Sequence, residues 1–151
     1  MINIDVLEQY SSKINPEILI NTANAVIQNI YNGEEVDLSL VITSDSVIND
    51  LNLRFRDMNS PTDVLSFPSE YIDPENSHKY IGDIIISYPR AVDQAVIASH
   101  PIENEITLLI VHGVLHLFGY DHGTPDEKEK MWEIQSRILV HLGCKINNLT
   151  G

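Results

Sequence analysis

Three histidines in the second half of the chain have the spacing of a metal site. They are His112, His116 and His122, in the segment V-H-G-V-L-H-L-F-G-Y-D-H at positions 111–122. Two histidines four residues apart on a helix lie on one face, one turn apart, and can bind the same ion. Gly119 favours a helix stop, because glycine adopts a left-handed backbone without steric cost, and the reversed chain can return His122 to the other two.

Such a cluster would suit a single catalytic zinc ion. Three neutral imidazoles around Zn²⁺ leave the fourth position to water, which is the arrangement of a catalytic rather than a structural site. The ion lowers the pKa of that water to about 7 and so supplies hydroxide at neutral pH. The alternative is three unrelated histidines, either buried with hydrogen-bond partners or exposed. The chain has only six histidines, so three at these offsets favour the metal site.

The spacing alone is also that of a class of zinc proteases. Metzincins carry H-E-x-x-H-x-x-G-x-x-H, in which the glutamate is the general base for the zinc-bound water. This chain has Gly113 at the position of that glutamate. Peptide hydrolysis by that mechanism would lack its proton shuttle, which argues against a protease.

The elements that must hold the histidines predict an α+β (mixed α/β) fold. Strand-like and helix-like segments follow in the order β-α-β-α-β-β-α-α-α, which predicts one sheet of about four strands packed with about five helices. Residues 102–118 are apolar on nearly all sides, so we expect them to form a central buried helix that carries His112 and His116. Residues 69–79 are polar and rich in turn formers, and they are predicted to form a mobile loop.

Length and composition indicate one domain over residues 1–151. A chain of this length can bury a sizeable core, and it contains no repeat and no long linker. Its start lacks the features of a signal peptide, and no apolar run is long enough for a membrane helix. The single cysteine, Cys144, fits a reducing compartment. We therefore expect a cytoplasmic protein with no membrane partner.

The charge of the chain restricts how it could bind nucleic acid. Its formal net charge is −13, with nine lysines and arginines in total. Nonspecific binding to nucleic acid normally depends on such cations neutralising phosphates. Any nucleic acid bound here would need a small local patch, a bound cation or a partner protein.

Several sequence blocks together resemble one known family. The blocks are L-N-L-R-F-R at 51–56, P-T-D-V-L-S-F-P at 61–68, G-D-I at 82–84 with Ser87, and H-G-V-L-H-L-F-G-Y-D-H at 112–122, followed by Glu127 and Met131. In this order they resemble the signature of the YbeY family of bacterial metal-dependent endoribonucleases. The resemblance covers most of residues 51–138.

The resemblance implies a zinc-dependent, single-strand-specific endoribonuclease. It implies a role in ribosomal RNA maturation, chiefly at the 3′ end of the small-subunit rRNA, and in ribosome quality control, with ribosomal or ribosome-assembly proteins as partners. It also implies that His112, His116 and His122 bind the metal and that Arg56 is a functional arginine near it. The chain departs from the family pattern at Asn59 and Ser60, where Asp is usual and Lys is frequent, which puts any role of that turn in doubt.

Arg56 can be interpreted in two ways. Its planar guanidinium could offset the charge of a phosphodiester transition state through two hydrogen bonds. Alternatively, it is an exposed arginine at a helix end that balances a local acid such as Asp57. A nuclease is expected to have a positively charged groove beside the histidines, lined by basic residues from the set Arg54, Arg56, Lys79 and Arg90.

Two other functions stay open at this point. One is a metal-dependent hydrolase of a different substrate, such as a small phosphoester or an amide, which the acidic charge would suit. The other is a noncatalytic ribosome-assembly factor in which the metal holds the fold together. Three carboxylates could either orient a metal-binding imidazole or serve as turn and strand-edge residues: Asp63, Asp83 and Asp121.

Overall fold

The computed structural model describes residues 1–146 and confirms the predicted α+β fold. Its four strands are β1 (Ile2–Val6), β2 (Val36–Thr43), β3 (Val64–Ile72) and β4 (Lys79–Ser87). Its five α-helices are α1 (Pro16–Ile30), α2 (Asp45–Arg56), α3 (Tyr88–Ala98), α4 (Ile102–Leu117) and α5 (Pro125–His141). The order of the elements is the predicted one, with an additional 3-10 helix at Glu8–Lys13.

The sheet has the strand order β1-β2-β4-β3. The first three of these strands are parallel to their neighbours, whereas β3 runs antiparallel to β4 and lies at the edge. Parallel strands need long crossover connections: α1 lies in the one between β1 and β2, and α2 and β3 lie in the one between β2 and β4. Because β3 lies at the edge, its backbone groups on the side away from β4 can form hydrogen bonds with side chains.

The predicted mobile loop at 69–79 is wrong over much of its length. Strand β3 continues to Ile72 and β4 begins at Lys79, so a turn occupies only 73–78. The strands pair as far as Ile72 opposite Lys79, after a register shift that follows Pro68. The polar residues belong to the exposed end of an edge hairpin, where a polar composition reflects solvent exposure rather than a lack of regular structure.

Helix α4 is the central buried helix that the sequence predicts. It packs on the sheet, with α1 and α3 beside it and α5 against it. Nine of its residues are buried, and the seven that are apolar and carry a side chain belong to the main hydrophobic core. Helix α2 also contacts β3 and β4, and a smaller cluster contains Ile48, Leu65 and Ile85.

In the described part of the chain, no helix is both long and apolar enough to cross a membrane.

Gly113 allows α4 to approach the sheet closely. A Cβ atom at this position would lie 2.8 Å from Cγ2 of the fully buried Ile84 on β4. Real Cβ contacts are almost never that short, so any larger residue would push the helix away from the sheet. The face of α4 that Gly113 occupies is therefore used for packing, while His112 and His116 line a cleft.

Candidate metal centre

The three predicted histidines come together at the C-terminal end of α4. One ring nitrogen from each of His112, His116 and His122 lies within 4.8 Å of the other two. The ring centroids are 4.6 to 5.6 Å apart, and the Nε2 atoms of His112 and His116 are separated by 3.0 Å. The first two side chains are half-buried and the third is exposed. The predicted proximity of the three histidines is confirmed.

The turn after α4 brings His122 back to the helix. The N–H of Gly119 donates to the carbonyl oxygen of His116, and the N–H of Tyr120 donates to that of Leu115, both at 3.0 Å. Gly119 has a φ of +94°, a conformation that residues with a side chain rarely adopt. The sequence predicts this reversal from the glycine. The two hydrogen bonds from Gly119 and Tyr120 end the helix and change the direction of the chain.

The environment of the triad favours neutral imidazoles. Burial lowers the pKa of His116 to about 4, and the neighbouring His112 and His122 add to the decrease. Burial also lowers the pKa of His112. Neutral histidines are the form that binds a metal ion, so the pair on α4 is ready to act as ligands at neutral pH without losing a proton.

A buried glutamine sets the orientation of His112. The Oε1 atom of Gln135, on α5, lies 3.1 Å from Nδ1 of His112. An amide oxygen can only accept, so Nδ1 carries the proton and the lone pair of that imidazole is at Nε2. Nε2 is the atom that lies nearest to His116. Such hydrogen bonds from the far side of the ring are typical of histidines that bind metals.

The donor set fits a divalent cation such as zinc. Two histidine nitrogens bound tetrahedrally to one zinc at about 2.0–2.1 Å are about 3.3 Å apart. The Nε2 atoms of His112 and His116, at 3.0 Å, are close to that separation. Without a cation, one of the two nitrogens can donate a hydrogen bond to the other, and a cation between them would bind the lone pairs of both. The residues present therefore could hold the metal that the sequence predicts.

The triad lies in an open cleft of about 950 Å³ that also contains Arg56. Helix α2 ends at Arg56 because Asp57, its C-cap, adopts a left-handed backbone with φ of 56°. The guanidinium Nη2 donates to the carbonyl oxygen of Ser66 on the edge strand β3, at 3.2 Å. Among the ion pairs of residues 1–146 there is none between Arg56 and Asp57. Arg56 therefore shares the cleft with the three histidines, and its functional role stays a prediction.

The expected positively charged groove is wrong. Of the described residues, Arg56 is the one lysine or arginine in the lining of the cleft, which also contains Asp63, Glu105 and Asp121. Arg90 instead forms an ion pair with Asp45, with 3.2 Å between Nε and Oδ1. Arg54 and Lys79 do not line the cleft. The cleft lacks the basic side chains that would hold a polyanion without help.

The three candidate carboxylates have separate surroundings. Asp63 lines the cleft, and its oxygens accept hydrogen bonds from the Val64 N–H at 2.8 Å and from Gln94 Nε2 at 3.1 Å. Asp121 accepts from the N–H of His122 at 2.8 Å, which makes it a turn residue. Asp83 accepts from the hydroxyl of Tyr80 and does not line the cleft. None of the three has a hydrogen bond to a triad imidazole among the described contacts.

Two features of the cleft escaped the sequence analysis. Gln135 is 1% exposed and follows Met131 by four residues on the buried stripe of α5, where a polar residue at an apolar position was the available signal. The second is a buried pair in the cleft wall, His100 and Glu105, with 2.7 Å between Nε2 and Oε1. The two residues flank the start of α4, and nothing in their spacing predicted the contact.

Comparisons with known proteins agree with the resemblance. The family model described as Endoribonuclease YbeY matches residues 5–143. A protein named Endoribonuclease YbeY from Mycolicibacterium paratuberculosis is 37% identical over 144 residues, which cover 91% of this chain and 81% of that protein. A protein of the same name from Rhodococcus opacus is also 37% identical, with 91% and 80% covered.

A solved structure is similar over nearly the whole chain. It is the solution structure of TM1509 from Thermotoga maritima, with a TM-score of 0.57 and 26% sequence identity. The similarity covers 95% of this chain and 92% of the other. Together with the family model and the relatives in sequence, it confirms the resemblance read from the motifs: the chain belongs to the YbeY family of endoribonucleases.

Proposed function

We propose that this chain is a zinc-dependent endoribonuclease that cleaves single-stranded RNA during ribosomal RNA maturation. We propose further that residues 1–151 form one catalytic domain and that the enzyme works in the cytoplasm. It would process the 3′ end of the small-subunit rRNA and would also take part in ribosome quality control. The observation that carries the proposal is the convergence of His112, His116 and His122 beside Arg56 in a member of an endoribonuclease family.

The three histidines would hold the metal through one ring nitrogen each. Gln135 keeps Nε2 of His112 free of a proton by accepting from Nδ1, and burial keeps His116 neutral. A bound zinc ion supplies positive charge and lowers the pKa of water, which provides both a nucleophile and stabilisation for developing negative charge. Gly113 offers no carboxylate to act as a base, so the proton must leave through another group or through solvent.

Arg56 would bind the scissile phosphate. It is the one basic side chain of the described cleft lining, and one of its nitrogens is used by the Ser66 carbonyl. The rest of the guanidinium can donate to phosphate oxygens, and its charge is worth most where charge develops in the transition state. The acceptor at Ser66 limits the orientations of the side chain, which reduces the entropy lost when the phosphate binds.

The shortage of cations in the cleft supports a role for a protein partner. Net charge −13 and a single arginine in the described lining give little affinity for a polyanion at physiological salt. Ribosomal or ribosome-assembly proteins that bind both this chain and the rRNA would supply that affinity by raising the local RNA concentration. The same shortage is the observation that favours the second candidate, a metal-dependent hydrolase of a small phosphoester.

A comparison of three variants with the wild type tests the proposal. The metal-loaded proteins are incubated with a single-stranded RNA, a duplex RNA and a small phosphodiester. His116→Ala removes a ligand, Arg56→Ala removes the guanidinium, and His78→Ala is a matched control. His78 pairs with Asp37 on the β3–β4 turn side of the sheet and does not line the cleft. Circular dichroism checks that each variant is folded.

We expect single-stranded RNA to be cut at the full rate by the wild type and by His78→Ala only. Loss of one transition-state donor typically lowers kcat by about 10²–10³. We expect a decrease of that size in the kcat of Arg56→Ala. Full cleavage by His116→Ala would mean a contaminating nuclease and would refute the assignment. Activity on the small phosphodiester alone would favour the second candidate, and a folded, metal-loaded protein without any activity would favour the noncatalytic assembly factor.

A further inference from the structure

We propose that Phe55 and Phe67 form a platform on which one unpaired base of the RNA stacks while the adjacent phosphate reaches Arg56. This inference rests on the proposed function, since it names a subsite for the same substrate. We call these two residues the aromatic platform. They belong to the last turn of α2 and to the edge strand β3.

Phe55 exposes most of its surface to solvent, although Phe67, which its ring contacts, packs on the smaller core cluster. Its side chain is 62% exposed, whereas Phe67 is half-buried and packs on the cluster around Leu65. The two rings contact each other edge to face, with centroids 5.5 Å apart and planes at 64°. This contact holds Phe55 in place while leaving ring surface open to solvent, as a stacking partner requires.

Arg56 connects the aromatic platform to the metal cleft. Its Cζ lies 6.0 Å from the centroid of the Phe67 ring, and its Nη2 donates to the carbonyl oxygen of Ser66. The side chain thus lies along the free edge of β3, and it also lines the cleft that contains the three histidines. The cleft is lined by Ser66 and Pro68 on one face of β3, whereas Phe67 packs on the other face, so a strand whose phosphate binds Arg56 would turn round this edge to bring a neighbouring base to the aromatic platform.

The local charge identifies the occupant as an anion. Arg54 and Arg56 are both in the last turn of α2, in a chain with only nine basic residues and a net charge of −13. An exposed aromatic ring that shares a helical turn with two arginines suits single-stranded nucleic acid, where bases stack and phosphates pair with cations. A protein partner would have to match the same arginines with carboxylates. The adjoining cleft, with its candidate metal site, makes RNA the occupant that we infer.

The aromatic platform would account for a preference for unpaired RNA. In a duplex both faces of each base are already stacked, so no face is available to Phe55. A base at a single-stranded site can turn towards the ring with little cost. Stacking depends on the presence of a π face rather than on particular hydrogen bonds, so we expect little preference among the bases.

Equilibrium binding of a labelled oligoadenylate tests the inference separately from catalysis. Fluorescence anisotropy is measured on full-length, metal-loaded protein with a probe whose phosphorothioate linkages resist cleavage, and gels confirm that the probe stays intact during the measurement. The variants are Phe55→Ala, Phe55→Leu and Phe55→Trp. Ile72→Ala is the matched control, because Ile72 is equally exposed at 62% but lies at the far end of β3. A second probe lacks its bases but keeps the sugar-phosphate backbone.

We expect Phe55→Ala and Phe55→Leu to weaken binding of the oligoadenylate by about 5- to 150-fold, the range measured for one stacked base. Phe55→Trp should bind at least as tightly as the wild type, and Ile72→Ala should be unchanged. The abasic probe should bind all five proteins equally weakly. Arg56→Ala should weaken both probes, because it removes a phosphate contact.

Two results would overturn the aromatic platform. If the wild type binds the oligoadenylate and Phe55→Ala binds it equally, no base stacks there and the exposed ring serves another partner. If Phe55→Ala weakens the abasic probe as much as the oligoadenylate, the residue acts through structure or charge instead of stacking. A wild type that binds neither probe and cuts no RNA would refute the proposed function itself, which is a separate outcome.

Discussion

His112 and Gln135 are joined by a hydrogen bond of 3.1 Å between Nδ1 and Oε1, and Gln135 is almost completely buried. The amide is one of few buried polar groups in the described residues, on a helix face that is otherwise apolar. Burying an amide costs free energy unless the amide is hydrogen-bonded, so the contact with His112 offsets the cost of burying Gln135. The contact links α5 to the candidate metal centre on α4 and fixes which nitrogen of His112 can bind a cation.

We predict that Gln135→Met weakens metal binding by about 10- to 100-fold, the usual effect of removing a partner behind a metal-binding histidine. Methionine has a similar volume but cannot accept from Nδ1, so His112 loses its preferred tautomer. Gln135→Glu keeps an acceptor and should bind metal at least as tightly as the wild type. Competition for zinc with a chromogenic chelator measures both affinities. Equal affinities for Gln135→Met and the wild type would show that Gln135 only fills space.

Metal should stabilise the folded protein through the triad. At a free zinc concentration one hundred times the dissociation constant, binding adds about 2.7 kcal/mol to the free energy of unfolding. For a domain of this size that corresponds to a rise in Tm of about 5–10 °C. Thermal unfolding with and without zinc should show this rise for the wild type and for His78→Ala, and none for His116→Ala. A rise that survives in His116→Ala would place the ion elsewhere.

The metal-free protein should lose stability as the pH falls from about 6.5 towards 4. In the unfolded chain a histidine titrates near its ordinary pKa of about 6.5, whereas in the fold burial lowers the pKa of His116 to about 4. The unfolded state therefore binds more protons in this range, and the free energy of unfolding decreases with decreasing pH. Above pH 6.5 both states are neutral and this contribution vanishes.

Urea unfolding in the presence of a chelator measures this pH dependence. His116→Gln removes the titrating group, so its unfolding free energy should vary less between pH 6.5 and 4 than that of the wild type. His112, whose pKa burial also lowers, accounts for part of the dependence that remains. Identical slopes for the variant and the wild type would contradict the assignment to His116.

Gly113→Ala should destabilise the fold although alanine is the better helix former. The new Cβ would lie 2.8 Å from Cγ2 of Ile84, and overpacking of a closed core costs about 1–3 kcal/mol. The gain in helix propensity is about 1 kcal/mol, so a net loss of up to about 2 kcal/mol is expected. Gly123→Ala is the control, because its nearest neighbour is 3.9 Å away. Denaturant unfolding of the two variants distinguishes them, and equal stabilities would mean that α4 shifts freely.

The structure gives a further reason why this chain is not a protease of the metzincin class. Position 113, where those enzymes have their general base, packs against β4 at a distance that excludes any side chain. A glutamate there would have to displace the helix before it could reach the metal. The sequence has a glycine where a metzincin has its glutamate, and the packing shows that a side chain at position 113 would meet β4.

Local patterns were sufficient for most of the elements. Prolines and caps mark the helix starts at Pro16 and Pro125, and the alternation in β1 and the apolar residues of β2 and β4 predict strands. The hairpin end at 69–79 was misread, because an exposed edge strand and a loop have similar polar compositions. The distinction depends on the pairing of Tyr71 with Tyr80, a contact across the hairpin that the composition of either strand does not reveal.

The sequence by itself determined the candidate metal centre, since His112, His116, Gly119 and His122 are close along the chain and helix geometry brings them together. Only the tertiary structure decided the surroundings of that centre. It placed Arg56 on the edge of β3, Gln135 behind His112, and the other expected basic residues outside the cleft. The reason is physical: the triad depends on one helix and its turn, whereas each of its neighbours comes from another element and is positioned by packing across the core.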